Sequence, residues 1–538
     1  MNAAGRVPGY FNEDFEGRGA EHGWYAYGGL GRVDADPDNP ANRVYRLKYN
    51  GDISISYYCR DGTYWKDYSY EAGIRLDAPG SLGGLAFKIL DENNFYILSL
   101  NMATAQAEIQ GRTGGGQIRI LAASSPLSIA PARWHRLKVV VVGRLVRGYV
   151  DGVQAVEWEN GELDWSSWGK IGLRTPHELW ADDIRVTPIY GTGQVPAGLV
   201  YPASYTVFQR NEEGWGMIGI DGYAKTEEAD RVEARVVVMN GGDAGWKGMS
   251  VDWTPIAFAA PDDSEYLFFR DRLTVREGGW YRLEVRGWKG SDEIFRTAVD
   301  KVGVGDIFLV GGQSNSGNSG GTRMIPADDR VAAISRMGGD GAFGRDPLHG
   351  VNGTMGSSWS LLGEKLVEVL NVPVGFIGFG RGGTVVAQWV PEATDSLYHR
   401  LKEALDTAGR LGGAKAVLWH QGETDSDKGT TAGQYRERLA GIIERSRLDA
   451  PWNPRLLWGI AVVSYSPYSV SCPERMETVA EGHRNTVLHV PDTFLGADTD
   501  DLREGFRRTD EPSHLNEAGQ REHAERWFVK LRAYFYEK

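Results

Sequence analysis

The chain has 538 residues, 41% hydrophobic and 24% charged, a globular composition too long for one ordinary core, so two to four domains are expected. A net charge of −13 argues against nucleic acid or an anionic membrane as a partner. No apolar run reaches the length of a membrane span, and two distant cysteines, Cys59 and Cys472, give neither a disulfide framework nor a thiolate metal site.

Residues 1–190 read as all-β. Short alternating runs recur between Gly, Asp and Asn turns: Val44–Tyr49, Tyr68–Leu76, Gly84–Leu90, Phe95–Leu100, His135–Val142 and Val146–Val150. Many short strands with regular turn signals indicate a sandwich or jelly roll, and Asp151-Gly152 is a hairpin signal. Trp134-His135-Arg136-Leu137-Lys138-Val139, the Tyr-Val-Asp-Gly turn, Gly169-Lys170-Ile171-Gly172-Leu173 and Ala181-Asp182-Asp183-Ile184-Arg185-Val186 follow Asp14-Phe15-Glu16 in an order that resembles the concanavalin-like (laminin-G-like) jelly rolls attached to carbohydrate-active enzymes. The resemblance implies a carbohydrate-binding role; a purely structural jelly roll is the alternative. The 18 Trp and 24 Tyr suit sugar stacking, although sandwich cores also use aromatics. Trp24, Tyr25, Tyr57, Tyr64 and Trp65 are the candidate sugar-stacking rings. Asp14 and Asp183 are candidates to share a structural calcium.

Residues 191–203 are rich in Gly and Pro and read as a linker. Residues 204–302 hold β-rich runs, Val232–Met239 and Trp280–Gly287 among them, in a segment the size of an immunoglobulin-like sandwich. From 303 to 538, strands alternate with helices. Ile307–Val310, Val374–Ile377, Ala416–Trp419, Leu456–Val463 and Thr486–His489 are the expected strands. Trp359–Leu370, Leu397–Ala408, Tyr435–Arg445, Glu474–Gly482 and a last helix from Glu517 to about Tyr534 are the expected helices. This alternation predicts a parallel sheet covered on both faces, an α/β/α three-layer domain.

The chemistry-bearing residues of that domain lie in its strand-end and late loops. Ser314 follows Ile307–Val310, Gly380-Arg381-Gly382-Gly383-Thr384 follows Val374–Ile377, and His420-Gln421-Gly422-Glu423-Thr424-Asp425 follows Ala416–Trp419. Asp510-Glu511-Pro512-Ser513-His514 precedes the last helix. Parallel strands end on one sheet edge, where such loops converge. Acyl transfer needs a nucleophile, a base, a group that orients the base, and donors for an oxyanion. Ser314 offers the hydroxyl and His514 the imidazole. Asp510 or Glu511 offers the carboxylate, and Ser314, Gly382 or Gly383 N–H with the Gln421 amide offer the donors.

Gly-Gln-Ser-Asn at 312–315, Gly-Gly-Thr with Trp389 downstream, Trp-His-Gln-Gly-Glu-Thr-Asp at 419–425 and His-Leu-Asn-Glu-Ala-Gly at 514–519 resemble the SGNH (GDSL-type) hydrolases, within them the sialate O-acetylesterase and acetylxylan esterase branch. The resemblance implies a cofactor-free serine carbohydrate acetylesterase acting on an acetylated polysaccharide or oligosaccharide, with Ser314 as nucleophile, His514 as base and Gly382 or Gly383 at the oxyanion. The family's Asp-x-x-His register falls on Glu511, whereas residue type favours Asp510. Trp389 and Glu423 are the expected substrate contacts; Glu423 could instead prop the oxyanion loop, Asp425 cap a turn and His420 pack the rim. Glu423 with Asp425 also permits a glycosidase reading, and a glycan-binding protein with a degenerate esterase domain is the other alternative. The first ten residues hold no apolar segment of a signal peptide, so a secreted or periplasmic location would need a leader that this chain lacks; a cytoplasmic location is the other reading.

Overall fold

The computed structural model describes residues 11–537 apart from 18–23, 28, 50–54, 59–64, 66, 92–93, 114–115, 160–168, 190–196, 227–228, 240–246, 260–265, 337–340 and 394–395. The chain forms two compact units, one made mainly of Met1–Ala197 and the other of most of the remainder.

In the first unit, alternation in sequence becomes alternation in burial. Strand Trp134–Val142 buries every second residue. Leu137, Val139 and Val141 share one core with Tyr68, Tyr70 and Ile74 of the neighbouring strand and with Leu85, Phe87 and Leu98 of a second sheet. Among the described residues the two sheets have eight and seven strands, and the pairings within them are antiparallel. Asp151 and Gly152, with φ of 49° and 84°, join Leu145–Val150 to Val153–Glu159 through the two positive φ angles of a tight hairpin turn. Trp24 and Trp65 are buried in this core, which corrects their reading as sugar-stacking faces. Packing against Phe15 and Tyr45 consumes the Trp24 ring. Tyr64, the side chains of Tyr25 and Tyr57, and Cys59 lie outside the described residues. Asp183 faces Arg136 at 3.8 Å, and no group of three or more metal-ligating side chains occurs among the described residues.

In the second unit, strand Asp292–Gly312 is 21 residues long and runs through position 303. Its first part pairs antiparallel with Gly278–Lys289. From Asp306 onward it lies between two parallel partners, Val374–Gly378 and Ala416–His420. Burial changes over the same stretch, from mostly exposed or half-buried residues to a fully buried run beginning at Val302. Asp306 is wholly buried. A buried carboxylate must be paired, and Arg210 at 2.7 and 2.8 Å and the Tyr536 hydroxyl at 2.9 Å meet it. Arg210 also pairs with Glu277.

The parallel sheet runs Val331–Ile334, Val374–Gly378, Asp292–Gly312, Ala416–His420, Trp458–Val462, Thr493–Asp498. Its connections carry helices α1 (Trp359–Leu370), α2 (Tyr398–Arg410), α3 (Glu423–Lys428), α4 (Ala432–Leu448) and α5 (Pro473–His489), and α6 (Glu517–Leu531) closes the chain. Trp359 and Leu366 of α1 and Ala524 and Trp527 of α6 join Phe308, Val310, Phe376 and Leu418 in one core. Strand parity turns Leu309, Ile377 and Trp419 to the other face.

The expected strand Thr486–His489 is instead the last turn of α5. Met476, Val479, His483 and Thr486 make one buried stripe at helical spacing, so the helix continues until Pro491 cannot extend it. The strand of that region is Thr493–Asp498.

Candidate active site

Strand register brings the loops together. Gly312 stands beside His420, and Val310 beside Gly378, so the segments that follow leave the same sheet edge. The approach at Gly312 is close: φ is +127°, and a Cβ there would lie 2.0 Å from the His420 carbonyl oxygen. Only glycine fits. The Gln313 N–H donates to that same carbonyl at 2.9 Å.

Ser314 then opens a short 3-10 turn, Ser314–Ser316, and is half-buried. Arg381 N–H donates to Gly312 C=O at 2.9 Å, which anchors the glycine loop beside the serine. A Cβ on Gly382 would lie 3.4 Å from Ser314 Cβ, while Gly383, at φ +71°, faces open space. Among the described residues, the N–H groups of Ser314, Gly382 and Gly383 donate to no backbone acceptor.

His514 lies in the loop before α6, its side chain largely buried. Its Nδ1 is 3.0 Å from Glu511 Oε2, although the N–H axis points off the oxygen and no aligned hydrogen bond forms. Asp510 is held elsewhere: both its oxygens accept from Arg508, at 3.0 and 2.6 Å, and that guanidinium lowers its pKa. Glu511, not Asp510, is therefore the carboxylate beside the histidine. Asn315 connects the two loops. Its Nδ2 donates to Ser513 C=O at 3.0 Å and to Glu423 Oε1 at 3.0 Å, and its Oδ1 accepts the Leu515 N–H at 3.2 Å.

Three expected site residues have other employment. Gln421 is fully buried; its amide donates to Thr384 C=O at 2.9 Å and Asp425 Oδ2 at 2.6 Å, and its Oε1 accepts from the Tyr435 hydroxyl. It has no proton left for an oxyanion and instead holds the glycine loop from beneath. Trp389 is wholly buried, edge-on to Phe379 and Trp419, with its indole N–H on Thr384 Oγ1; it is core, not a substrate contact. Glu423 is 5% exposed and is bonded to Asn315, with His420 Nε2 at 3.5 Å, so it too faces inward. Burial pushes its pKa up, but His420 and Asn315 outweigh that and hold it below the usual range. Asp425 accepts from Gln421, Val386 N–H and Thr430 Oγ1, and burial raises its pKa. Both carboxylates are thus committed to scaffolding, and this pair does not face outward as a glycosidase acid pair would.

The parts sequence reasoning missed are the side chains between the loops. Gln313 Oε1 accepts the Gly422 and Thr424 N–H groups at 3.2 and 3.3 Å. Arg507 donates to Ser513 C=O at 3.0 Å. The available signal was adjacency, since Gln313 and Asn315 flank the serine in the chain.

Residues 304–531 match the family model described as carbohydrate esterase, sialic acid-specific acetylesterase. A probable carbohydrate esterase of Arabidopsis thaliana is 26% identical over 168 residues, which are 27% of this chain. The chain thus spans 63% of the length of this curated relative. Among solved structures, a carbohydrate acetylesterase from Xanthomonas citri is similar at 18% identity, covering 63% of this chain and 76% of that one with a TM-score of 0.41. A carbohydrate-binding module from Bacillus subtilis covers 30% of this chain and 93% of its own at 16% identity, with a TM-score of 0.25.

Proposed function

We propose that the protein is a serine carbohydrate O-acetylesterase whose catalytic part is a three-layer SGNH-type domain. The observation that carries the reading is the juxtaposition of Ser314 with the loop of His514, tied through Asn315, on the sheet edge where Gly382 packs against Ser314. The family match over residues 304–531 supports the same reading.

In the proposed reaction, Ser314 Oγ attacks the acetyl carbonyl carbon as His514 takes its proton. The carbonyl oxygen, now an anion, accepts hydrogen bonds from the N–H groups of Ser314 and of Gly382 or Gly383. His514 then gives the proton to the departing sugar oxygen as the C–O ester bond breaks, leaving an acetyl-enzyme. Water attacks this acyl group, with His514 again as base, and acetate leaves. Glu511, 3.0 Å from Nδ1, is the carboxylate that would orient the ring once the two groups align. No cofactor enters these steps. The substrate is an acetylated glycan, and the sandwich of the first unit is the proposed carbohydrate-binding partner of the esterase.

The test is acetate release from acetylated xylan, xyloglucan and O-acetylated sialosides, wild type against Ser314→Ala. Release that vanishes in the variant supports the proposal. Glycan binding without release from any substrate supports the binding-protein alternative.

A further inference from the structure

We propose that Asn315 and Glu423 act together as a positioning pair that sets the base, His514, against the nucleophile, Ser314; this rests on the esterase reading above. Every polar position of the Asn315 side chain is used. One amide proton goes to Ser513 C=O, the other to Glu423 Oε1, and the amide oxygen receives the Leu515 N–H. Ser513 and Leu515 are the two chain neighbours of His514. One side chain, adjacent to the nucleophile, therefore grips the backbone on both sides of a base some 200 residues away. Arg507 makes a second bond to the same Ser513 carbonyl.

Glu423 gives this grip its direction. An amide can turn over, exchanging donor for acceptor. A carboxylate oxygen 3.0 Å from Nδ2 admits only the nitrogen on that side, so the amide oxygen must face Leu515. The turned-over form would set Oδ1 against both Glu423 and the Ser513 carbonyl. Asn315 is 6% exposed and Glu423 5%, so water does not substitute for either bond, and a hydrogen bond to an ionised acceptor is among the stronger kinds. His420 Nε2 lies 3.5 Å from the same Glu423 oxygen, Oε1. Neither residue contacts the reacting atoms in this scheme; both act through His514.

The test measures kcat and KM for p-nitrophenyl acetate, with a thermal melt of each variant. Asn315→Asp replaces the donor by a second carboxylate facing Glu423, and is expected to lower kcat by about 10²-fold, the order of loss for an ångström-scale misplacement, with KM within about twofold. Asn315→Ser removes the long-range bonds without adding charge and is expected to lose kcat on the same scale. Glu423→Gln presents either oxygen or nitrogen and is expected to cost about tenfold. In the double variant, Asn315→Asp with Glu423→Gln, the amide introduced at position 423 can donate to the carboxylate introduced at position 315, which relieves its repulsion there but not that with the Ser513 carbonyl, and kcat is expected to recover in part, by about threefold to tenfold over Asn315→Asp alone. That recovery in kcat at constant KM is what a merely structural role does not produce. A folded Asn315→Ser or Asn315→Asp enzyme within about threefold of wild-type kcat overturns the pair, as does a double variant no faster than Asn315→Asp. Loss of the esterase reading has a separate signature: turnover that survives Ser314→Ala.

Discussion

Acid is predicted to weaken the second unit through His483. The ring is wholly buried, and its Nε2 donates to Gln421 C=O at 2.8 Å while Tyr435 packs edge-on at 4.5 Å. Burial above all pushes its pKa down to about 4, against the opposing pull of the Gln421 carbonyl, Asp500 and Glu423. The unfolded chain takes up this proton near 6.5 and the native protein only near 4, so between those values the unfolded state holds more protons and stability rises with pH. The contribution is complete above 6.5 and is lost as pH falls to about 4. One proton over that gap is worth about 3 kcal/mol, with a slope of about 1.4 kcal/mol per pH unit. The assay is native-state hydrogen exchange of the Ala416–His420 strand amides between pH 4.5 and 7.5. Other carboxylates titrate in the same range, so the signal is the difference between wild type and His483→Gln, whose amide nitrogen reaches toward the same carbonyl but does not titrate. The variant is expected to lack this slope. An identical pH slope in both proteins would refute the argument.

Glu511→Gln is expected to lower kcat/KM by about 10- to 100-fold, the cost of losing an orienting partner, whereas Asp510→Asn, which weakens the Arg508 pair and leaves Arg508 beside Glu511 at 3.5 Å, stays within about twofold; steady-state kinetics on p-nitrophenyl acetate separates them. Gly382→Ala sets a methyl group 3.4 Å from Ser314 Cβ, where the acyl group must approach, and is expected to reduce kcat/KM by about 10²-fold with an unchanged melting temperature. Trp389→Phe removes the indole bond to Thr384 and part of the contact with Trp419; it is expected to cost about 1–3 kcal/mol in denaturant unfolding and leave KM unaltered.

Period and strand-end logic carried much of the fold. Alternation in His135–Val142 and the Asp-Gly turn were legible because a half-buried antiparallel strand writes its two faces into the sequence. Ile307–Val310, Val374–Ile377 and Ala416–Trp419 were legible as short apolar runs bounded by glycine or polar loops. Thr486–His489 misled because a buried helical turn and a buried strand share one apolar composition at that length. Val331–Ile334 went unread because Val-Ala-Ala-Ile is too short to show a period.

The site was legible as a set of loops and much less so as a set of roles. The loops of Ser314, of Gly382 and Gly383, and of His514 could be expected at one edge from their positions after strands and before the last helix. Gln421, Trp389 and Glu423 sit in the same motifs but point inward, and a sequence does not say on which side of a loop a side chain lies. The choice between Asp510 and Glu511 turned on Arg508, whose grip on Asp510 depends on the fold of residues 505–516. Asn315 was visible as a letter beside the serine, but its partners at 423, 513 and 515 were not.

The most direct test of the esterase mechanism is the pre-steady-state course of p-nitrophenol release from p-nitrophenyl acetate, with mass measurement of the quenched enzyme. An initial burst, an added acetyl group on the peptide containing Ser314, and loss of both in Ser314→Ala are predicted. Turnover that persists in Ser314→Ala, or an acetyl group found on another residue, would contradict it.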